Sequence, residues 1–151
     1  TGMERHTWLW GLGGVGLALV LVVGASILRL FVPEADAIGN PGLEALLGLE
    51  GQGERLAFLG SVALVAPLFE EILFRGFVFP QLRGRLGVAA AVSISAALFA
   101  LVHLSLGSFL PLFALGIVLA LAFEATGNLM APMLIHAIWN GATALAVFSL
   151  I

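Results

Sequence analysis

Residues 56–80 read LAFLGSVALVAPLFEEILFRGFVFP, and this stretch decides the fold. A helix needs roughly 20 predominantly apolar residues to cross the hydrocarbon core of a bilayer, so the stretch is long enough to span a membrane. It nevertheless contains the ionisable residues Glu70, Glu71 and Arg75. Each such residue costs about 2.5–3.5 kcal/mol inside a span, and by default it faces the protein interior with a partner or a function. The stretch therefore predicts a transmembrane helix with a polar cluster on its protein side.

The composition of the whole chain agrees with a membrane protein. Of its 151 residues, 61% are hydrophobic and 10% are charged, whereas a soluble domain is usually about 45–50% apolar and about 25% charged. The absence of cysteine excludes disulfides, thiolate metal sites and a cysteine nucleophile. Six basic residues and a formal net charge of −3 leave no basic patch of the kind that nucleic acid requires. We predict an all-α, polytopic membrane protein without a nucleic-acid partner.

Four further apolar stretches extend this prediction to a bundle of about five transmembrane helices in one domain. The predicted spans are residues 8–32, 56–80, 88–106, 109–125 and 129–151. The glycine-rich and acidic residues 33–55 predict an outer loop with a helix lying on the membrane surface. Thr1 and Gly2 precede Met3 and are interpreted as a tag remnant. Residues 3–151 are then a single membrane-embedded domain.

The arginines predict the orientation of this domain in the membrane. Short cytoplasmic loops are enriched in Lys and Arg, and Arg83 and Arg85 lie in the turn between the second and third predicted spans. Placing this turn in the cytoplasm puts residues 33–55 outside. The N-terminus, which carries Arg5, is then predicted to be cytoplasmic.

The two adjacent glutamates are predicted to have different roles. Residues four apart on a helix share a face, so Glu71 and Arg75 can form an ion pair. Glu70 lies about 100° further around the helix and has Phe74, an uncharged residue, at its own i+4 position. We interpret Glu71 and Arg75 as a supporting structural pair and Glu70 as a carboxylate that is free to act as a general base.

Polar residues in two further spans complete a candidate catalytic site. His103 lies in the third span, and His136 and Asn140 share a face of the fifth span because they are four apart. Two imidazoles, a carboxamide and the Glu70 carboxylate around one cavity could hold a water molecule. The carboxylate would take its proton, and the His and Asn groups could stabilise the oxyanion of a tetrahedral intermediate.

Other mechanisms of proteolysis do not match the residues of this chain. Asp36 is the only aspartate, which excludes a two-aspartate site, and no HExxH motif is present. Ser105 and Ser108 lie near His103 but have no GxSG-like elbow around them. Water activated by a glutamate remains, with or without a metal ion.

The depth of these groups in the membrane requires bent or tilted helices. At 1.5 Å per residue, His103 lies ~24 Å above Gly87, whereas His136 lies only ~12 Å above Asn128. Pro67 and Pro132 precede Glu70 and His136 by three and four residues, and a proline inside a helix bends its axis. These prolines are candidates for the bends that would bring the three spans together.

Three motifs in this region resemble a known family. Glu70–Gly76 matches EExxxR, Phe99–His103 matches FxxxH, and His136–Asn140 matches HxxxN. In this order on successive apolar segments, they resemble the CAAX-protease and bacteriocin-processing (CPBP, or ABI) family of intramembrane proteases. The resemblance covers residues 56–151.

The resemblance implies a function and a role for each residue of the motifs. It implies an endopeptidase of a prokaryotic inner or cell membrane that cleaves a membrane-tethered protein or peptide, as in CAAX-like or sorting-tag processing at a C-terminus. Glu70 would activate water, His103, His136 and Asn140 would hold the water and the oxyanion, and Glu71 and Arg75 would support them.

Two questions remain open at this stage. Glu70, His103 and His136 could bind zinc, but Asn140 is a poor zinc ligand, so we expect no cofactor. A non-catalytic immunity or scaffold protein that keeps the family fold is the alternative function. A proton pathway is another, because intramembrane Glu and His residues also build relays.

Overall fold

The computed structural model describes residues 41–148, so the predicted first span at residues 8–32 and the predicted cytoplasmic location of the N-terminus lie outside it. All regular structure within residues 41–148 is helical, which confirms the all-α prediction. There are five helices in this part of the chain: α1 (Pro41–Leu47), α2 (Gln52–Leu86), α3 (Val88–Leu101), α4 (Phe109–Thr126) and α5 (Met130–Phe148).

Helices α2, α4 and α5 are each long and apolar enough to span a membrane, and α3 is a shorter apolar helix. Helix α3 ends at Leu101, whereas the sequence predicted a span that continues to residue 106. Leu104 has a φ of 53°, in the left-handed region that interrupts a right-handed helix. The residues after α3 are still apolar, with Leu106 78% exposed. Hydropathy therefore continues past the point where the helix ends.

Helix α2 is continuous, but it changes its winding twice. Two π-helical segments, Ser61–Val65 and Ile72–Val78, interrupt the α-helical turns. Each segment ends two residues before a proline, namely Pro67 and Pro80. A proline has no N–H, and its ring clashes with the carbonyl four residues earlier. A wider π turn before each proline accommodates this ring without ending the helix.

The four longer helices form a closed bundle. The C-terminal part of α2 packs on α3, α3 packs on α4, α4 packs on α5, and α5 returns to the first π segment of α2. Helices α3 and α4 approach very closely at Gly116, where an added Cβ would lie 2.9 Å from Cα of Ala96. Only glycine fits this contact without moving a backbone.

Two groups of buried apolar side chains fill the bundle. The first, here named the Phe99 cluster, lies between the middle of α2 and helices α3, α4 and α5. The second, the Phe79 cluster, lies where the end of α2 meets α3 and α4. The Phe99 cluster consists of Phe74, Phe99, Leu115, Leu119, Ala122, Ile135 and Trp139, and the Phe79 cluster consists of Phe79, Ala91, Val92 and Ala120.

Candidate active site

The ion pair expected from the i, i+4 spacing is present on α2. Arg75 Nη1 donates to Glu71 Oε1 over 2.9 Å, and both side chains are fully buried. Burying two charges costs free energy that their mutual attraction offsets only when further hydrogen bonds satisfy the remaining groups. The surroundings of this pair supply two such bonds and leave Glu71 Oε2 and Arg75 Nε without a hydrogen-bond partner among residues 41–148.

The two further bonds connect the pair to helices α4 and α5. Arg75 Nη2 donates to the carbonyl of Gly116 on α4 over 3.0 Å. His136 Nδ1 on α5 lies 2.8 Å from Glu71 Oε1, and the carboxylate accepts the proton of this nitrogen. Sequence reasoning missed both bonds because the partners are far apart along the chain. The buried pair thus orients His136.

Glu70 faces two imidazoles at this point of the bundle. Its Oε2 atom lies 3.5 Å from His136 Nε2 and 3.9 Å from His103 Nε2. Glu70 and His103 are partly exposed, whereas His136 is fully buried. The structure therefore brings together three of the residues that the sequence singled out, on α2, on α5 and directly after α3.

His103 is held by the end of α3 and lies outside the helix. At the helix end, the backbone N–H of His103 bonds to the carbonyl of Ala100, which leaves the carbonyl of Phe99 without its usual partner four residues on. His103 Nδ1 lies 2.7 Å from this carbonyl. A carbonyl only accepts, so Nδ1 carries the proton, and Nε2 of the neutral ring keeps a lone pair.

The two histidines thus present the same kind of atom to Glu70. Each uses Nδ1–H for a structural hydrogen bond and directs Nε2 towards the Glu70 carboxylate. Among residues 41–148, Glu70 Oε2 and His136 Nε2 are buried atoms with no hydrogen-bond partner. A carboxylate oxygen and two imidazole nitrogens that face one another suit a small donor such as water.

The same three atoms are of types that also bind metal ions. Histidine ligands of metals commonly donate their other ring N–H to a carboxylate or a carbonyl, as His136 and His103 do. A tetrahedral zinc ion with bonds of about 2.0–2.1 Å needs ligand atoms about 3.3–3.4 Å apart, and His103 Nε2 is further from Glu70 than this. Within the described part of the chain, no group of three His, Asp or Glu side chains could hold a metal ion as placed.

One of the two N–H groups of Asn140 forms a hydrogen bond away from Glu70 and the two histidines. Its Nδ2 atom donates to the carbonyl of Val62 over 3.0 Å. In this π segment the N–H of Ala66 donates to the carbonyl of Ser61, five residues earlier. The same pattern would pair the Val62 carbonyl with Pro67, which has no N–H. The carboxamide therefore satisfies a carbonyl that the proline leaves free. The structure gives Asn140 no hydrogen bond to Glu70, His103 or His136.

Fold and site together define a helical membrane protein with a carboxylate and two imidazoles facing one another inside its bundle. A family model described as type II CAAX prenyl endopeptidase Rce1-like matches residues 52–142. This match covers more than half of the chain and includes every candidate site residue. The chain belongs to the Rce1-like family, and the expected CPBP membership is confirmed. Its family and its long apolar helices make it an integral membrane protein.

Two curated bacterial proteins are similar to the chain. The membrane-embedded CAAX protease MroQ of Staphylococcus aureus (strain USA300) is 29% identical over 145 residues, which cover 91% of this chain and 57% of MroQ. The UPF0177 protein YxdF of Lactococcus lactis subsp. lactis (strain IL1403) is 26% identical over 139 residues, which cover 91% of this chain and 75% of YxdF. This chain therefore spans little more than half the length of MroQ. No solved structure matches it significantly.

Proposed function

We propose that this protein is an intramembrane endopeptidase that hydrolyses a peptide bond of a membrane-associated protein or peptide. The observation that carries the proposal is the approach of Glu70 Oε2 to two imidazole Nε2 atoms, at 3.5 and 3.9 Å. Membership of the Rce1-like family supports cleavage near the C-terminus of the substrate, of the CAAX or sorting-tag type.

Glu70 is the proposed general base. A water molecule between its carboxylate and His103 Nε2 gives a proton to Glu70 while its oxygen attacks the scissile carbonyl carbon. The tetrahedral oxyanion accepts a hydrogen bond from the second N–H of Asn140. The Nδ1 proton of His136 is donated to Glu71, so its Nε2 atom, like that of His103, offers a lone pair to the proton that the water keeps. When the C–N bond breaks, the Glu70 carboxyl returns the proton to the leaving amine, so that atoms and charges balance.

Glu71 and Arg75 are proposed to act through His136. Glu71 accepts the Nδ1 proton of His136 and therefore fixes the orientation in which Nε2 faces Glu70. Arg75 holds Glu71 in turn and anchors it to Gly116 on α4. These two residues do not reach the reacting atoms, and we propose that they are positioning residues.

The test compares Glu70→Gln with wild-type protein in vesicles that carry membrane-tethered peptides, with the new C-termini mapped by mass spectrometry. We expect Glu70→Gln to lose about 10²–10⁴-fold in cleavage rate, the usual contribution of a general base, while the protein still inserts. Glu44→Gln is the matched control, because Glu44 is an exposed carboxylate on α1. Undiminished cleavage by Glu70→Gln would refute the mechanism.

The same assay separates the proposal from its alternatives. We expect cleavage to persist after exhaustive chelation, because the proposed steps use protein groups and water alone. A loss that zinc restores would instead assign Glu70, His103 and His136 as ligands. In cells, a phenotype that is unchanged by Glu70→Gln would indicate an immunity or scaffold protein, and pH-driven flux through vesicles would indicate a proton pathway.

A further inference from the structure

Three polar side chains of the candidate site contact the ring of one apolar residue, Phe99. The ring centroids of Phe99 and His103 are 4.8 Å apart at an interplanar angle of 61°, and those of Phe99 and His136 are 5.3 Å apart at 75°. The central guanidinium carbon of Arg75 lies 4.8 Å from the centroid of the same ring. The Phe99 side chain is fully buried.

These contacts are of kinds that depend on orientation. Aromatic rings prefer edge-to-face arrangements because the face of a ring is negative and its edge is positive. A guanidinium is attracted to the face of a ring for the same reason. One rigid ring therefore holds Arg75, His103 and His136 at defined angles to one another.

A single hydrogen bond does not fix an imidazole, because the ring can still swing about the bonded nitrogen. His103 is bonded at Nδ1 to the backbone carbonyl of Phe99, and His136 is bonded at Nδ1 to Glu71. In both cases the unbonded Nε2 atom faces Glu70. The contact with the Phe99 ring removes this remaining freedom for both histidines.

We propose that the Phe99 ring is a positioning residue that sets the distance and angle at which both Nε2 atoms face Glu70. The inference deepens the proposed function and rests on it for its kinetic part. The backbone carbonyl of Phe99 remains whatever side chain stands there, so substitution tests the ring alone. Phe99 thereby couples two histidines that lie on different elements of the bundle.

Phe79 provides the control for simple core filling. It is also fully buried, and it makes an edge contact with Phe123 at a centroid distance of 6.1 Å. It belongs to the Phe79 cluster, and its ring contact within residues 41–148 is with another phenylalanine rather than with an imidazole. Phe79→Leu and Phe99→Leu remove the same atoms from comparable sites. If Phe99 only fills the core, the two substitutions should have equal effects on stability and on the imidazoles. If Phe99 positions the histidines, only Phe99→Leu should disturb the imidazoles.

The first experiment is independent of activity. The chain has three histidines, so ¹⁵N-histidine labelling gives a spectrum simple enough to assign, with His6→Ala identifying the signals of the third histidine. We expect wild-type protein and Phe79→Leu to show both bundle imidazoles with the proton on Nδ1. In Phe99→Leu we expect the proton to stay on Nδ1, because both acceptors remain, while the Nε2 signals of His103 and His136 broaden by exchange between ring orientations. An unchanged spectrum in Phe99→Leu would overturn the inference.

The second experiment uses peptide hydrolysis. We expect Phe99→Leu to lower kcat about tenfold or more with KM changed less than about twofold, because small misplacements of catalytic groups cost large factors in rate. Phe79→Leu should lower the unfolding temperature to a similar degree and change kcat less than about twofold. Equal losses of kcat would refute a special role of Phe99.

The two experiments distinguish a failure of folding from a failure of the proposed function. If Phe99→Leu does not fold, Phe99→Met, whose unbranched and flexible side chain adapts to an irregular gap, replaces it in both experiments. If wild-type protein cleaves no peptide, the proposed function fails, and the ¹⁵N spectra still decide whether Phe99 orients the histidines.

Discussion

The middle and the end of α2 each carry an arginine paired with a glutamate, and one pair is buried whereas the other is open to solvent. Arg83 at the end donates to both oxygens of Glu124 over 2.6 and 2.7 Å, but these side chains are 51% and 25% exposed. Arg75 in the middle makes one bond of 2.9 Å to Glu71, and both side chains are fully buried. By bond geometry alone, the outer pair is the stronger one.

Because of burial, the loss of the inner pair costs more free energy than the loss of the outer pair. An exposed pair gains little because water and salt screen it and because two long side chains lose freedom. When one partner of a buried pair is removed, the other is left as an uncompensated charge in a medium of low dielectric constant. The comparison teaches that the half of α2 that carries the candidate site is held by polar bonds that have few substitutes. Its end is held by ordinary apolar packing in the Phe79 cluster.

The largest effect is expected from Arg75→Met. Glu71 is then buried without its cation, so we expect a loss of about 3–5 kcal/mol in the free energy of unfolding. Thermal unfolding in detergent measures this loss, and cleavage should also disappear. Adding Glu71→Leu removes the stranded charge, so the double variant should regain stability but not activity, because His136 lacks its acceptor. Wild-type stability of the single variant would contradict the comparison.

Gly116→Ala is expected to have the next largest effect. A methyl group 2.9 Å from Cα of Ala96 forces α3 and α4 apart and moves the carbonyl that holds Arg75. Overpacking of this kind costs about 1–3 kcal/mol, and we expect slower cleavage as well. Gly76→Ala is the control, because its added Cβ would lie 3.7 Å from a Leu129 methyl group, an ordinary contact. Equal unfolding temperatures for the two variants would speak against a close helix contact.

Asn140→Ala tests the bond to the π segment before Pro67 in α2. The Val62 carbonyl loses its donor, and we expect a loss of about 1 kcal/mol in stability. Pro67→Ala supplies a backbone N–H, so Asn140→Ala should cost less in a Pro67→Ala background. A double-mutant cycle of unfolding temperatures measures this coupling. Additive effects would show that the proline and the carboxamide act independently. Cleavage should not recover, because Asn140 is also a proposed oxyanion donor.

The smallest effect is expected from Arg83→Met at the end of α2. The Arg83–Glu124 pair is open to solvent, so its loss should shift the unfolding temperature only slightly, and high salt should abolish the shift by screening. Cleavage should be unchanged. A loss of stability as large as that of Arg75→Met, measured in the same detergent, would remove the distinction between the two halves of α2.

Local features of this protein were predictable from its sequence. Apolar stretches of sufficient length predicted helices α2, α4 and α5, because bilayer thickness sets the length of a span. The spacing of Glu71 and Arg75 predicted their ion pair, because neighbours on a helix surface are three or four residues apart. Both predictions depend only on residues close together in the chain.

Contacts between helices were not predictable in this way. The bond from His136 to Glu71 joins residues 65 positions apart, and the bond from Arg75 to Gly116 joins residues 41 apart. Periodicity does not specify which faces of two helices meet. Pro67 predicted a bend in α2, but not the π segments that precede Pro67 and Pro80. The role of the Phe99 ring was not predictable, because an apolar side chain gives no sign of the imidazoles around it.

The short length of α3 has a consequence for the lipid around the protein. Its 14 residues extend about 21 Å at 1.5 Å per residue, less than the hydrocarbon thickness of about 30 Å. A helix this short favours local thinning of the bilayer, and His103 follows its end. We therefore expect vesicles with shorter acyl chains to bring the headgroup region closer to the candidate site, so that acyl-chain length tunes the rate of the proposed cleavage.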